Sequence, residues 1–311
     1  MSMKIGDITL KNNLILAPMA GLTDVAFRAL CVKCGADYGV TEMVSAKALA
    51  YNNKKTYDLL FTTRAEKIKA VQIFGSDPKI MAKACKNKAL EKFDIIDINM
   101  GCPAPKIFNN GEGSALLKNM PLAEKIIREC VNATTKPITV KFRLGVDENN
   151  IVGVEFAKMC ERAGAKAITV HGRTTKQMYA GKVDLDLIKQ IKQAVNIPVI
   201  ANGDVVDKTT YEHILNYTKC DAVMVGRASN GNPAIFSELL GEKSNKSKLY
   251  FIKKHIKILK KFYKDEFIVK HMRKHILFYL KGVKNANHIK TQVCTLDNIK
   301  DVLKLLKTVV Y

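Results

Sequence analysis

The sequence predicts an α/β fold, a (β/α)8 TIM barrel followed by a small all-helical C-terminal domain. Three observations predict it. Eight short β-branched runs alternate with helical stretches over about the first 240 residues. The first run ends Ala17-Pro18-Met19-Ala20-Gly21, with neither G-x-G-x-x-G nor a P-loop, which argues against an open doubly wound sheet. Beyond Glu242 no strand-like run remains, and apolar residues recur only at helical spacing.

In chain order the strand runs are Leu14–Met19, Tyr38–Met43, Ala70–Phe74, Ile95–Asn99, Ile138–Phe142, Ala167–His171, Pro198–Asn202 and Ala222–Gly226. Helical patterns between them cover Asp24–Cys34, Pro78–Leu90, Ala115–Asn132, Ile151–Ala163, Leu185–Ala194 and Thr209–Tyr217. The strand ends carry Met19, Glu42, Gln72, Asn99, Lys141 with Arg143, His171 with Arg173, Asn202-Gly203, and Gly226-Arg227. Each has an ordinary reading alone: His171 as a core histidine, Lys141 as a snorkelling side chain, Gln72 as a loop cap, Asn202-Gly203 as a turn. In a barrel, however, all of them converge on one face, where barrel enzymes carry out their chemistry.

Within Asp97-Ile98-Asn99-Met100-Gly101-Cys102-Pro103, an amide and a thiol follow a buried strand. Such a pair can read a base and donate a proton. Gly203 and Gly226 allow close backbone approach, and Arg227 adds a bidentate donor. Barrels commonly bind phosphate after strands 7 and 8, so an aromatic cofactor with a phosphate tail is expected there. Lys141 and Gln72 would then hydrogen-bond its ring.

Bulk composition narrows the setting. The 311 residues are 47% apolar and can build a substantial core. The start MSMKIGDITL lacks a signal-peptide pattern, and no apolar run has transmembrane length, so a cytoplasmic protein is expected. Eight scattered Cys argue for reduced thiols, with Cys31 and Cys34 as core residues rather than a metal or redox pair. The net charge of +22 points to a polyanionic partner. Of the 51 basic residues only eight are Arg, so the distribution of charge says more than its total.

The motifs resemble those of the tRNA-dihydrouridine synthases. Ala17-Pro18-Met19-Ala20-Gly21-Leu22-Thr23-Asp24 with Phe27-Arg28 is similar to the family's first-strand motif, and Asp97–Pro103 to its catalytic loop. Gly113–Leu117, Val140–Arg143, Val170–Thr174, Ile200–Asp204, Val225–Ala228 and Gly231–Phe236 follow in family order. Glu42-Met43, Gly226-Arg227-Ala228 and Lys281-Gly282 look most like the bacterial B-type branch. Ala234 stands where many relatives have Trp, and the loop Lys106–Gly111 is less basic than in some of them. The resemblance implies FMN as cofactor, NADPH as reductant, and reduction of the C5=C6 bond of particular uridines in tRNA, with a D-loop position as the hint from the B-type likeness. It implies that Cys102 is the catalytic acid, protonating C5 after hydride reaches C6. A thiol, with an ordinary pKa of about 8.5, is protonated at neutral pH. By the same resemblance Pro18, Met19, Gln72, Lys141, His171, Asn202, Gly203, Asp204, Gly226 and Arg227 bind FMN, while Asn99 and Arg143 contact the uridine.

The tail, residues 242–311, reads as a separate basic helical domain after a catalytic barrel of residues 1–241. Its apolar sets are Ile252, Ile256, Leu259, Tyr263; then Ile268, Met272, Ile276, Tyr279, Val283; then Ile299, Val302, Leu303, Leu306, Val310, with Gly282 as a helix stop. It holds 18 Lys+Arg against 5 Asp+Glu, well above the charge density of the barrel segment. Lys270, Lys274, Lys281 and Lys284 are placed near one helix face, flanked by Arg273, as tRNA phosphate contacts. His255, His271, His275 and His288 are read as surface or RNA-contacting residues, with no metal site. A monomer is expected. The competing functions are an FMN barrel reducing a small metabolite of the dihydroorotate or enoate kind, an inactive RNA-binding barrel, and, weakest, a Schiff-base aldolase using Lys141. The first does not need a basic tail, the second does not need a flavin, and the third leaves Cys102 unused.

Overall fold

A computed structural model describes residues 2–309. A short antiparallel hairpin, β1 (Lys4–Ile5) and β2 (Ile8–Thr9), opens the chain. It is followed by β3 (Leu14–Leu16), α1 (Val25–Lys33), β4 (Tyr38–Ser45), α2 (Ala46–Ala50), β5 (Ala70–Phe74), α3 (Pro78–Cys85), β6 (Ile95–Met100), α4 (Pro105–Phe108) and α5 (Met120–Ala133). Then come β7 (Ile138–Arg143), α6 (Gly153–Arg162), β8 (Ala167–His171), α7 (Leu185–Ala194), β9 (Val199–Asn202), α8 (Lys208–Thr218), β10 (Ala222–Val225) and α9 (Ile235–Leu239). Strands β3 to β10 pair in parallel and close into a barrel, β10 against β3. All eight expected strand runs are in it.

Period-two alternation sorts each strand. Along β5 and β6, Val71, Ile73, Ile96 and Ile98 pack outward among the helices, while Ala70 and Ile95 point into the barrel. The inward positions at the strand starts are apolar except Thr139 of β7, and Met3, Ile5 and Leu10 of the N-terminal segment join them, plugging that end. The same inward register, two and four residues on, carries Gln72, Asp97, Asn99, Lys141, Arg143, His171 and Asn202. The barrel is therefore oily at one end and polar at the other.

Helix starts follow local chemistry. Asp24, Asp77, Asp184 and Asp207 each cap a helix with a side-chain oxygen, satisfying N–H groups left open by the first turn. Two expected helices are shorter than their sequence pattern. Ala115–Asn132 is a 3-10 turn (Gly113–Lys118) followed by α5, because Pro121 restarts the helix at its first turn. Pro78–Leu90 likewise splits after Cys85.

The tail has four helices, α10 (Lys248–Leu259), α11 (Asp265–Tyr279), α12 (Asn287–Thr295) and α13 (Ile299–Leu306). The expected three omitted α12, whose nine residues bury only Ile289 and Val293 and so leave a weak periodic signal. Gly282 has φ +75° and follows the end of α11 as expected. Val310, assigned to the last apolar set, lies outside the described residues. The tail helices share one core with Val25, Ala26 and Leu30 of α1 and with Ala234. No helix among the described residues is long and apolar enough to cross a membrane.

Candidate active site

The C-terminal ends of the barrel strands open onto a cavity of about 790 Å³. Its lining includes Pro18, Met19, Gln72, Asn99, Cys102, Lys141, Arg143, His171, Asn202, Gly203, Asp204, Gly226, Arg227 and Lys281. Sequence reasoning placed all of these but Lys281 at one end of the barrel, and the structure brings them around one space together with Lys281, which was expected on a tail helix face. Lys270, Arg273 and Lys274 are not in its lining.

Asp97 organises the floor. Its carboxylate accepts from Thr139 Oγ1 (2.6 Å) and Gln72 Nε2 (2.7 Å). Both bonds run to carboxyl oxygens and orient the Gln72 amide, while burial pushes the Asp97 pKa up. Gln72 Oε1 then accepts from Asn99 Nδ2 (2.8 Å), and Asn99 Oδ1 accepts from the backbone N–H groups of Cys102 (2.9 Å) and Gly101 (3.2 Å). Asn99 thus holds the loop that carries the thiol, a role beyond the uridine contact implied by resemblance. From the far side, Ser114 donates twice to the Cys102 carbonyl, and Arg143 Nε donates to the Gly101 carbonyl (2.9 Å).

Positive charge rings the cavity. Lys141 Nζ donates to Asn202 Oδ1 (2.8 Å), and burial followed by the Arg143 guanidinium lowers its pKa to about 8. Arg143 is itself lowered to about 10, chiefly by burial. His171 is driven far below the usual imidazole range by burial and then by Lys141, Arg143, Arg173 and Arg227, so it is neutral. Four cations around one neutral histidine make a site for anionic or acceptor-rich ligands.

Several side chains have other duties than expected. Asp204 lies between two arginines, 2.7 Å from Arg173 and 3.1 Å from Arg227, and aims them. Glu42 accepts from the Gly21 N–H (2.5 Å), bracing the loop after β3 outside the cavity lining. Gly203 has φ +123°, and a Cβ there would meet Val183 Cγ1 at 2.4 Å, so the protein itself requires glycine. A Cβ on Gly226 would meet nothing closer than Ala17 Cβ at 3.7 Å, so packing leaves that space to a ligand. Tyr179 was missed by sequence reasoning. It is 55% exposed at the cavity wall, its ring 4.9 Å from the Arg227 guanidinium carbon and 5.8 Å from that of Arg143. The available signal was the length of its loop after His171, since long loops on this face carry function.

The tail residues divide. Lys270 and Lys274 are exposed on α11, and Lys274 Nζ reaches the Ala20 carbonyl at 3.4 Å. Lys281 and Lys284 do not share that helix face, because α11 ends at Tyr279 and the chain turns at Gly282. Arg273 is tied to Asp297 and to the Leu296 carbonyl, both at 3.1 Å, and links tail elements. Of the four histidines placed at the surface, only His288 is exposed. His255 and His275 are buried and His271 nearly so, all turned toward Asp24. Helical spacing cannot reveal this, since the partner lies more than 200 residues away.

The family profile described as Dihydrouridine synthase (Dus) matches residues 15–310. A protein named tRNA-dihydrouridine synthase B from Vibrio parahaemolyticus is 40% identical over 304 residues, covering 95% of this chain and 94% of its own. One of the same name from Pseudomonas aeruginosa is 40% identical over 298 residues, covering 93% and 90%. The chain belongs to the dihydrouridine synthase family. Among solved structures, a histamine dehydrogenase from Rhizobium sp. 4-9 superposes with TM-score 0.60 at 13% identity, covering 89% of this chain and 50% of that one, a likeness of fold. Family membership gives the Cys102 loop and the cationic cavity a shared context.

Proposed function

We propose that this protein is a tRNA-dihydrouridine synthase that binds FMN in the barrel mouth, takes reducing equivalents from NADPH, and saturates the C5=C6 bond of uridines in tRNA. The observation that carries the reading is one cavity holding both the Cys102 thiol loop and the Lys141, Arg143 and Arg227 cations, with Arg173 buried behind its wall. The cavity fits the cofactor. Arg173 Nη1 is buried without a hydrogen-bond partner among the described residues, and the space at Gly226 is unfilled. Gly203, Gly226 and Arg227 would hold the phosphate; Met19, Gln72, Lys141, His171 and Asn202 would hold the ring. The bound flavin supplies hydride chemistry.

The chain's own residues do the rest. Cys102 Sγ gives its proton to C5 of the uracil, leaving a thiolate that solvent reprotonates. Lys141 and Arg143 stabilise negative charge developing toward the C4 carbonyl, as fixed cations placed before the reaction starts. The Asp97–Gln72–Asn99 chain keeps the thiol loop in one geometry. A base within folded tRNA must be swung out to reach this depth, and Tyr179 offers an exposed ring at the rim.

The test is reconstitution. The purified protein is expected to release FMN in equimolar amount and to form dihydrouridine in unmodified tRNA with NADPH. Arg227→Ala is expected to weaken FMN binding about ten- to a hundredfold by removing a charge-assisted phosphate contact. A chromophore other than FMN, or no product in tRNA, contradicts the proposal.

A further inference from the structure

Where the tail meets the barrel, four side chains converge that the proposed reaction does not use. Asp24 caps α1, its Oδ1 accepting from the backbone N–H groups of Ala26 (2.8 Å) and Phe27 (2.9 Å). Its Oδ2 faces three imidazoles. His275 Nε2 is 2.8 Å away, His271 Nε2 2.9 Å and His255 Nε2 3.1 Å. Asp24, His255 and His275 are at least nine-tenths buried, and the His271 side chain is 20% exposed.

Hydrogen bonding alone does not satisfy this group. A carboxylate offers about four acceptor positions. Two on Oδ1 serve the helix cap, His255 Nε2 bridges Oδ1 (3.2 Å) and Oδ2 (3.1 Å), and His271 takes Oδ2 (2.9 Å), which fills the set. His275 Nε2 is the one left over, buried and without a hydrogen bond of acceptable geometry among the described residues. Such an orphan is costly unless something else sits in the cluster.

We propose that Asp24, His255, His271 and His275 form a buried structural site for a divalent transition-metal ion of the zinc class. Three imidazole nitrogens and one carboxylate oxygen are a four-coordinate donor set that zinc accepts. His271 and His275 stand at i and i+4 on α11 and so share a face. The ligand atoms of Asp24, His271 and His275 lie within 4.8 Å of one another. Ligand bonds of about 2.0–2.2 Å place tetrahedral donors roughly 3.3–3.5 Å apart. The Asp24–imidazole separations reach that after outward shifts of about half an ångström, while the imidazole nitrogens close inward around the ion, His255, which lies outside that 4.8 Å grouping, moving farthest. The ion takes one lone pair from each imidazole, which ends the competition for Oδ2. Outer partners are in place: the Ala26 and Phe27 N–H groups on Asp24, and the Tyr279 hydroxyl 3.5 Å from His255 Nδ1. With four protein ligands and little access, the site is structural and fastens α10 and α11 to α1.

The experiment uses the full chain, stripped with a chelator and titrated with Co²⁺, then Zn²⁺. One equivalent of Co²⁺ is expected to produce the visible d–d bands of a four-coordinate site, and Zn²⁺ to displace it and raise the melting temperature. His271→Gln and His275→Gln are each expected to weaken binding by at least about 10–100-fold, the range that even outer-shell changes produce. His213→Gln, an exposed control, is expected to leave the bands unchanged. Absence of the bands, or bands that survive both variants, overturns the proposal and leaves a proton-shared cluster. Should the variants not fold, anomalous scattering at the zinc edge from wild-type crystals decides: a peak inside the cluster supports the site, while a peak elsewhere or none overturns it.

Discussion

Cys102 sits on a loop fixed from both sides, its N–H held by Asn99 and its carbonyl by Ser114. A thiol so placed acts at one position. Cys102→Ala is expected to keep flavin reduction by NADPH, because that step asks for no proton on uracil, and to lower dihydrouridine formation by about 10²–10⁴-fold. Stopped-flow bleaching alongside a tRNA product assay separates the two; wild-type product formation would make the thiol structural. Lys141 gives a pH signature. Free, it loses its proton near pH 8, where burial and Arg143 have lowered it. A bound acceptor such as the proposed flavin ring favours the ammonium and raises that pKa, so binding takes up a proton above pH 8. FMN affinity is therefore expected to be level below about pH 8 and to fall by up to tenfold per unit above it. Fluorescence quenching from pH 6.5 to about 9.5 tests this, and Lys141→Gln should flatten the profile. A flat wild-type profile removes Lys141 from the ring contacts.

Among the elements, α11 carries three duties on different faces. Ile268, Met272 and Ile276 pack into the tail core, His271 and His275 face Asp24, and Lys270 and Lys274 face solvent. Lys270→Gln and Lys274→Gln leave the buried faces untouched, so folding should persist. If each contacts a phosphate, each is expected to lower the log–log salt slope of tRNA binding by about 0.7–0.9. Lys281→Gln differs, since Lys281 lines the cavity; it is expected to reduce turnover as well as affinity. Binding titrations at several salt concentrations check the first pair, and an unchanged slope assigns them to a solvated face. The barrel strands were legible because their β-branched runs end in polar residues at inward positions, as at Gln72, Asn99 and His171. Local pattern says less where elements are short or partners distant. The two-residue strands of the opening hairpin and the nine-residue α12 give little periodicity. The grouping of Asp24 with three tail histidines exists only after folding, as does Tyr179 beside Arg227.

For the whole molecule, the question is whether barrel and tail are separable, as the charge step near residue 241 suggests. The packing speaks against it. Val25, Ala26, Leu30 and Ala234 are each at most 4% exposed and lie in the core formed with the tail helices. The approach is close at backbone level too: a Cβ on Gly231 would fall 2.3 Å from the Phe278 carbonyl carbon, so only glycine lets the loop after β10 meet the end of α11. Truncation after Gly241 uncovers this surface. Exposing Val25 and Leu30 alone costs about 3–6 kcal/mol at roughly 1.5–3 kcal/mol each. That is a large part of the 5–15 kcal/mol typical of a folded protein. The fragment also loses Lys281 from the cavity wall and all three histidines around Asp24. It is expected to aggregate or melt well below the full chain and to retain little FMN. Size-exclusion chromatography with a thermal scan tests this. A monodisperse fragment that melts with the full chain and keeps its flavin would show two independent domains. The expected result instead makes the tail part of the scaffold that shapes the mouth of the barrel.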